Sequence, residues 1–205
     1  MSRLVPSKLT KIVITGNKGG TGKTTITALL AEYLTHQKKK VNLIDTDPNQ
    51  ALKFWIDNCQ QEKRLVSSPL PVDYQIIDTA GVSGGSLTYI KQADIILVPF
   101  IPHYVDLQVI IPWFNSLSFE RKQKVYFLPN RYQRTKEQQE GIEQLNETGR
   151  DNKAGVVLPP LSSRPALYGS VLNGSKDNFF SKRESEPVKK VFQELFSYAK
   201  NKKSS

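Results

Sequence analysis

The sequence predicts an α/β protein, with a mostly parallel central sheet and helices packed on both of its faces. Six short apolar runs alternate along the chain with segments of helical composition. The runs show no strict alternation of polar and apolar residues, which is typical of strands buried on both faces of a parallel sheet. Polar residues, glycines and prolines follow the ends of these runs. Since parallel sheets bind ligands at the carboxyl ends of their strands, we expect the chemistry of the protein there.

The apolar runs define six predicted strands, which are Lys11–Thr15, Val41–Ile44, Gln75–Ile77, Ile95–Phe100, Val125–Leu128 and Val156–Leu158. The segment Lys23–Gln37 carries leucines and isoleucine at helical spacing and is predicted to be a helix. Thr135 and Gln138 have the spacing of a capping box, which predicts a helix that continues to about Asn146. Pro187 suits the first turn of a last helix, whose apolar residues follow an i, i+3, i+4 pattern.

Length and composition indicate one domain over residues 1–205, with a short extension at residues 1–10 and a polar, frayed tail at residues 201–205. A single cysteine excludes an intramolecular disulfide, and two histidines argue against a histidine-rich metal site. No apolar stretch approaches the roughly 20 residues that a membrane span needs, and the first residues lack the apolar run of a signal peptide. We therefore expect a cytoplasmic protein with no membrane partner.

The net charge of +10, from 29 basic and 19 acidic residues, favours a polyanionic partner, with nucleic acid first. The basic residues are spread along the chain instead of forming one tail. Charge alone is equally compatible with a soluble protein that happens to be basic.

The strongest motif is the stretch Lys18–Thr25 (KGGTGKTT), which lies between a predicted strand and a predicted helix. This is the context that a phosphate-binding loop requires. Its glycines let backbone amides approach phosphate oxygens, and the start of the helix adds partial positive charge. Lys23 would contact the β- and γ-phosphates, and the Thr24 hydroxyl would bind magnesium. Asn17 stands where the general pattern has glycine, and asparagine tolerates the left-handed backbone of such a turn.

Two predicted strands run directly into aspartates, Asp45 and Asp78. In a parallel sheet both carboxylates emerge at the edge where the phosphate loop lies, and there they can hold a magnesium-bound water or orient an attacking water. Lys18 is a further unusual feature, because an ordinary phosphate loop does not need a lysine at that position. Two lysines held so close together repel each other unless an anion lies between them.

These stretches resemble the ParA/MinD superfamily of deviant Walker A ATPases. The stretch KGGTGKTT is similar to the family's Walker A motif, in which the first lysine, here Lys18, crosses a nucleotide-sandwich dimer and contacts the partner's phosphates. The resemblance implies the P-loop NTPase fold, ATP and Mg²⁺ as cofactors, and catalytic roles for Lys18 and Lys23. It also implies nucleotide contacts from the whole loop, namely Lys18, Gly19, Gly20, Thr21, Gly22, Lys23, Thr24 and Thr25.

Three further stretches carry the resemblance. IDTDPNQ looks like the family's Walker A′ motif, which implies that Asp45 acts on the attacking water and that Asp47 supports the magnesium shell. IIDTAG looks like the Walker B segment, in which Asp78 would hold magnesium through water. Asn130 matches an adenine-contacting asparagine, and the proline-rich strand end before Asp106 resembles a region at the family's nucleotide and dimer interface.

The resemblance is greatest to the short partition ATPases of the ParF type, through Ala51–Trp55 and Arg164–Gly174. It implies a homodimer bridged by ATP, nonspecific binding to double-stranded DNA of the nucleoid, and a ParB-like adaptor that stimulates slow hydrolysis. The candidate DNA-contacting residues are Arg164, Lys182, Arg183, Lys189 and Lys190, and the last two are expected to be exposed. The turn Lys38–Lys40 is expected at the opposite edge of the sheet and is interpreted as solubilising, with an extension of the DNA footprint as the alternative.

The sequence leaves the cargo open. Plasmid DNA carried through a centromere-binding adaptor is one possibility, and a protein cargo such as a carboxysome, as in McdA-like relatives, is another. Two other classes of protein would also use a phosphate loop. A metabolic ATP-dependent ligase or kinase would need its own substrate pocket beside the γ-phosphate, and a polymerising protein that uses ATP only as glue would not need Asp45.

Overall fold

The computed structural model describes residues 9–16, 18–80, 86–174 and 176–202. Most of the predicted N-terminal extension, Asn17 of the phosphate loop and the last three residues of the predicted tail lie outside the described residues. The six strands are β1 Thr10–Ile14, β2 Val41–Asp45, β3 Tyr74–Asp78, β4 Ile95–Phe100, β5 Val125–Pro129 and β6 Val156–Val157. The helices are α1 Lys23–His36, α2 Ala51–Gln61, α3 Ser86–Gln92, α4 Tyr104–Ser116, α5 Phe119–Lys122, α6 Lys136–Asn152, α7 Pro165–Leu172 and α8 Glu186–Asn201.

The strands form one sheet in the order β2-β3-β1-β4-β5-β6, and each pair of neighbours is parallel. β1 therefore lies in the middle of the sheet, with β3 on one side and β4 on the other. The register pairs Asp78 with Ile14 and with Asp45, so both aspartates lie at the carboxyl end of the sheet beside the start of the phosphate loop. This confirms the predicted fold class and brings the predicted motifs to one edge.

Each face of the sheet carries its own hydrophobic core. Along β1, Ile12 and Ile14 belong to one core and Val13 to the other. The first core takes its helical residues from α1, α2, α7 and α8, and the second from α3, α4 and α6. Because both faces are covered, the strands are apolar at nearly every position, which explains the unbroken runs in the sequence.

Two predicted element ends were wrong. Helix α6 continues to Asn152, well beyond the predicted end near Asn146, although its sequence is largely polar. Gly149 lies in this last part, where an added Cβ would be 2.5 Å from the Gly155 carbonyl oxygen, so the helix packs closely on the chain that follows it. The tail was expected to fray from residue 201, but Asn201 belongs to α8. Lys202 is also held, because its Nζ donates to the Gln123 carbonyl at 2.7 Å.

Within the described ranges, no helix combines the length and the apolar character needed to cross a membrane.

Candidate nucleotide-binding site

The loop between β1 and α1 has the backbone of a phosphate cradle. Gly20 and Gly22 have φ angles of 78° and 93°, in the left-handed region where glycine is favoured. A Cβ on Gly22 would also lie 2.4 Å from Nδ2 of Asn130, so this position has no room for a side chain. At Gly19 and Gly20, by contrast, an added Cβ would meet nothing within 4 Å, which leaves the outer side of the loop open to a ligand.

Helix α1 begins at Lys23 without a capping side chain among the described residues and without an acidic residue in its first turn. The first backbone N–H groups of a helix have no partner within the helix, and the helix dipole places partial positive charge at the same end. The start of α1 can therefore bind an anion, and the glycine loop opens directly in front of it.

The two lysines of the loop make different contacts. Lys23 is largely buried, and its Nζ donates to the Lys18 carbonyl oxygen at 3.1 Å, across the loop. The Nζ of Lys18 instead forms an ion pair with Oδ1 of Asp106 in α4, at 2.9 Å. Asp106 is 3% exposed, and its other carboxylate oxygen accepts a hydrogen bond from the Ile101 backbone N–H. Lys18 is thus directed away from the loop in which it lies and toward a second element.

Thr24 and Asp78 form the polar centre of the site. The Thr24 hydroxyl donates to Oδ2 of Asp78 at 2.7 Å, and Oδ1 of Asp78 is buried without a hydrogen-bond partner in the part of the chain that the structure describes. Burial raises the pKa of Asp78 to about 6, and the charges of Asp45 and Asp47 act in the same direction, whereas Thr24 and Lys23 oppose the shift. An unpartnered carboxylate oxygen next to a threonine hydroxyl is the hard oxygen donor set that Mg²⁺ prefers.

The carboxylate of Asp45 is held by backbone N–H groups before and at the start of α2. Its Oδ1 accepts a hydrogen bond from the Asp47 backbone N–H at 2.9 Å, and its Oδ2 accepts from Leu52 and Lys53 at 3.0 and 3.1 Å. The last two donors belong to the first turn of α2, so Asp45 caps that helix from six residues upstream. Asp47 closes the turn between the two, since its Oδ1 accepts from the Asn49 N–H at 2.9 Å. The predicted actions of Asp45 on water and of Asp47 on magnesium stay predictions.

Asn130 follows β5 and lies against the phosphate loop. Its Nδ2 donates to the Thr21 carbonyl oxygen at 2.8 Å, and its backbone N–H donates to the Phe100 carbonyl at 2.7 Å. The side chain is almost fully buried. Asn130 was predicted to contact adenine, a role that stays a prediction, and the structure adds a contact that braces the loop at Gly22.

A cavity of about 220 Å³ adjoins Lys18. It is lined by Lys18, Thr21, Pro99, Val105, Asp106, Val109 and Ile110. Val105 and Val109 lie outside the buried stripe of α4 and are exposed to 63% and 48%. No role was predicted for these two valines from the sequence, although two exposed valines four residues apart on one helix are a usable signal for an interaction surface.

The candidate DNA-contacting residues come from the chain that follows β6. Arg164, Lys182, Arg183 and Lys190 are exposed. Lys189 was expected to be exposed as well, but it is partly buried and its Nζ lies 3.2 Å from Oε1 of Glu186, one turn earlier in α8. The expectation was wrong for Lys189 because its ammonium is held along the helix surface. DNA contact by the others stays a prediction.

The site combines three features of a P-loop nucleotide-binding protein. A phosphate loop follows the central strand β1, a helix whose N-terminus has no side-chain cap in the described part of the chain begins directly after the loop, and a buried aspartate ends the neighbouring strand β3. Comparison with known proteins identifies the family. The model of the CobQ/CobB/MinD/ParA nucleotide-binding domain matches residues 12–175, and the chain belongs to this family.

The chain is 28% identical over 185 residues to the maintenance of carboxysome distribution protein A of Halothiobacillus neapolitanus, a match that covers 80% of this chain and 72% of that protein. It is 28% identical over 114 residues to the protein ParA of Rhizobium radiobacter, covering 48% of this chain and 51% of the relative, so it spans about half the length of that protein. A solved ATP complex of McdA from Cyanothece shares the fold, with a TM-score of 0.69, 18% identity, and coverage of 94% of this chain and 96% of that one.

Proposed function

We propose that this chain is a positioning ATPase of the ParA/MinD type, which binds ATP and Mg²⁺, dimerises around the nucleotide and binds nonspecific DNA in that state. The main observation behind the proposal is that the ammonium groups of the two loop lysines have different partners. Lys23 lies across the loop, where it suits a phosphate of the same subunit, whereas the Nζ of Lys18 leaves the loop toward α4. A lysine directed away from its own phosphate cradle is suited to the phosphates of a second subunit.

Nucleotide binding is supported by the shape and chemistry of the loop. The backbone of Gly19–Thr25 would hold the phosphates, with Lys23 on the β- and γ-phosphates. Thr24, Asp78 and, more remotely, Asp47 would hold Mg²⁺, and the unpartnered Oδ1 of Asp78 fits that ion. Mg²⁺, when bound, would neutralise charge on the β- and γ-phosphates. The ATP complex of the structurally similar McdA supports ATP as the nucleotide.

Hydrolysis would depend on Asp45 and on Lys18 of the opposite subunit. A carboxylate offers about four acceptor positions, and three of those on Asp45 are filled by backbone N–H groups. The remaining position on Oδ1 can orient an attacking water, or the carboxylate can release α2 to do so. Slow hydrolysis that an adaptor accelerates is consistent with a carboxylate that is engaged in this way.

The names of the two similar proteins indicate the candidate cargoes. One relative is a ParA protein and the other maintains carboxysome distribution, so plasmid DNA and a protein compartment are both candidate cargoes. In both cases the cargo would be attached through a separate ParB-like adaptor. The net charge of +10 supports the nucleoid as the matrix on which the protein moves.

The test is a titration of the protein onto random-sequence duplex DNA with ATP and Mg²⁺, with ADP, and without nucleotide, each at two salt concentrations. We expect binding only with ATP, and a steep loss of affinity as salt rises, because phosphate contacts release counterions. The Lys23→Ala variant is the control and should lose ATP binding and DNA binding together. Absence of DNA binding in every nucleotide state of the wild-type protein would contradict the proposal and would favour a metabolic ATP-dependent enzyme.

A further inference from the structure

The loop that follows β5 runs beside the segment that follows β6. Tyr132 and Ser162 form an isolated parallel bridge. The Tyr132 N–H donates to the Leu161 carbonyl at 2.9 Å, and the Ser163 N–H donates to the Tyr132 carbonyl at 3.0 Å. Hydrogen-bonded neighbours of this kind lie about 4.8 Å apart. The bridge therefore places the segment that carries Arg131 and Arg134 alongside the segment that carries Arg164. We call these three residues the arginine edge.

The loop under the arginine edge is rigidly built. Arg131 and Arg134 have φ angles of 54° and 61°, a left-handed conformation that is unfavourable for residues other than glycine. The fully buried Gln138 holds the loop from α6, since its Oε1 accepts from the Gln133 N–H at 2.7 Å and its Nε2 donates to the Arg131 carbonyl. Unfavourable backbone conformations persist only where the surroundings impose them, and they are concentrated at binding sites.

The three side chains of the arginine edge are exposed. Among the residues that the structure describes, no carboxylate lies within ion-pair distance of Arg131, Arg134 or Arg164, whereas Arg64 and Arg150 each pair with a glutamate. The two segments together therefore present three arginines without a carboxylate partner in the described ranges, on a chain whose net charge is +10. The arginine edge is therefore suited to bind an anionic ligand.

We infer that the arginine edge binds the phosphodiester backbone of duplex DNA. This rests on the proposed DNA binding and identifies the surface that performs it, adding Arg131 and Arg134 to Arg164. The planar guanidinium group donates two parallel hydrogen bonds to a phosphate, so arginines are suited to backbone contacts that do not depend on sequence.

An acidic protein would be a less suitable ligand for this surface. Protein interfaces centre on apolar anchors, and the exposed large hydrophobic side chains of the described residues lie on other parts of the molecule, such as α2 and α4. The arginine edge also lies at the carboxyl end of the sheet, beside Asn130 and the phosphate loop, so its exposure to DNA can depend on the nucleotide state.

The experiment compares Arg131→Ala/Arg134→Ala with Lys39→Ala/Lys40→Ala. Both double variants remove two positive charges from exposed positions, but Lys39 and Lys40 precede β2 at the opposite edge of the sheet. DNA affinity is measured with ATP and Mg²⁺ between about 50 and 200 mM salt. We expect the arginine variant to bind at least tenfold more weakly, with a salt dependence reduced by up to about 0.9 per lost phosphate contact. The lysine variant should stay within about twofold of the wild type, as expected for distant charges that salt screens.

ATP affinity is measured on the same preparations, because Arg131 is adjacent to Asn130. Equal DNA affinity of the two double variants would overturn the arginine edge while leaving the proposed function intact. A loss of ATP affinity as large as the loss of DNA affinity would assign the loop to the nucleotide and would also overturn the inference. Failure of the wild-type protein to bind DNA in any nucleotide state would remove both proposals. Arg164→Ala provides a single variant outside the left-handed turns, and it should weaken DNA binding in the same direction.

Discussion

In the proposed ATP-bridged dimer, Lys18 would have two competing anionic partners. In this structure its ammonium is bound to Asp106, a buried carboxylate that would be left without its charge partner if Lys18 moved to the phosphates of a second subunit. Leaving a buried charge unpaired is costly, even where the other partner is partly exposed. In the proposed dimer the ion pair would therefore oppose dimerisation, and the phosphates of the bound nucleotide would compete with Asp106 for the lysine.

The first prediction concerns Asp106→Asn. The asparagine oxygen can still accept from the Ile101 N–H and fills the same volume, while the negative charge that holds Lys18 is gone. We expect the ATP-bound dimer to form more tightly, by up to about fivefold for each ion pair released, since a partly exposed ion pair contributes up to about 1 kcal/mol. Sedimentation with a non-hydrolysable ATP analogue measures the dimer dissociation constant. Lys18→Ala is the control, with retained ATP affinity and no dimer. A weaker dimer in Asp106→Asn would mean that Asp106 supports dimerisation.

Helix α2 is capped by a residue at the end of the strand that precedes it. Gln50, which precedes α2, has a left-handed backbone and provides no side-chain cap, so the N–H groups of Leu52 and Lys53 are capped by Asp45. Near its middle, the helix contacts α7, because the Trp55 indole N–H donates to the Val171 carbonyl at 2.9 Å. The carboxylate that is expected to act on water is thus also the residue that fixes the start of α2.

The second prediction separates these two roles of Asp45. Asp45→Ala removes the cap and should lower the free energy of unfolding by about 1 kcal/mol, the usual contribution of a capping side chain. Asp45→Asn keeps an acceptor oxygen and should lose less stability. Both variants should accumulate as ATP-bound dimers, because neither can act on water as a carboxylate does. Denaturant unfolding and ATP turnover measure the two effects. Undiminished turnover in Asp45→Asn would refute the hydrolytic role, and equal stability of Asp45→Ala and the wild type would refute the capping role.

For the whole molecule, the sequence predicted the sheet and the phosphate loop because both depend on local patterns. Strands buried on two faces need continuous apolar runs, and a loop that cradles phosphate needs glycines at fixed spacing. Contacts between residues far apart in the sequence could not be predicted from such local patterns. The ion pair of Lys18 joins residues 88 positions apart, and the burial of Lys202 against Gln123 joins residues 79 positions apart. The cap that Asp45 provides to α2 is close in sequence, but it depends on the turn through Asp47.

The last prediction concerns the stability of the whole protein as pH changes. Burial raises the pKa of Asp78 to about 6 from an ordinary value of 3.8, so between these values the folded state holds a proton that the unfolded state has lost. The stabilising effect of this proton is present at low pH and is lost as pH rises through 6. Between pH 5 and pH 7.5 the loss amounts to about 1.4 kcal/mol, the equivalent of one pKa unit.

The Asp78→Asn variant tests this, because the asparagine side chain does not titrate. The free energy of unfolding of the nucleotide-free wild type should therefore fall relative to that of the variant over this pH interval. Denaturant unfolding of both proteins at the two pH values measures the difference. The same pH dependence in the two proteins would mean that Asp78 titrates normally. Adding ATP and Mg²⁺ should reduce the difference, because cations at the site stabilise the ionised carboxylate.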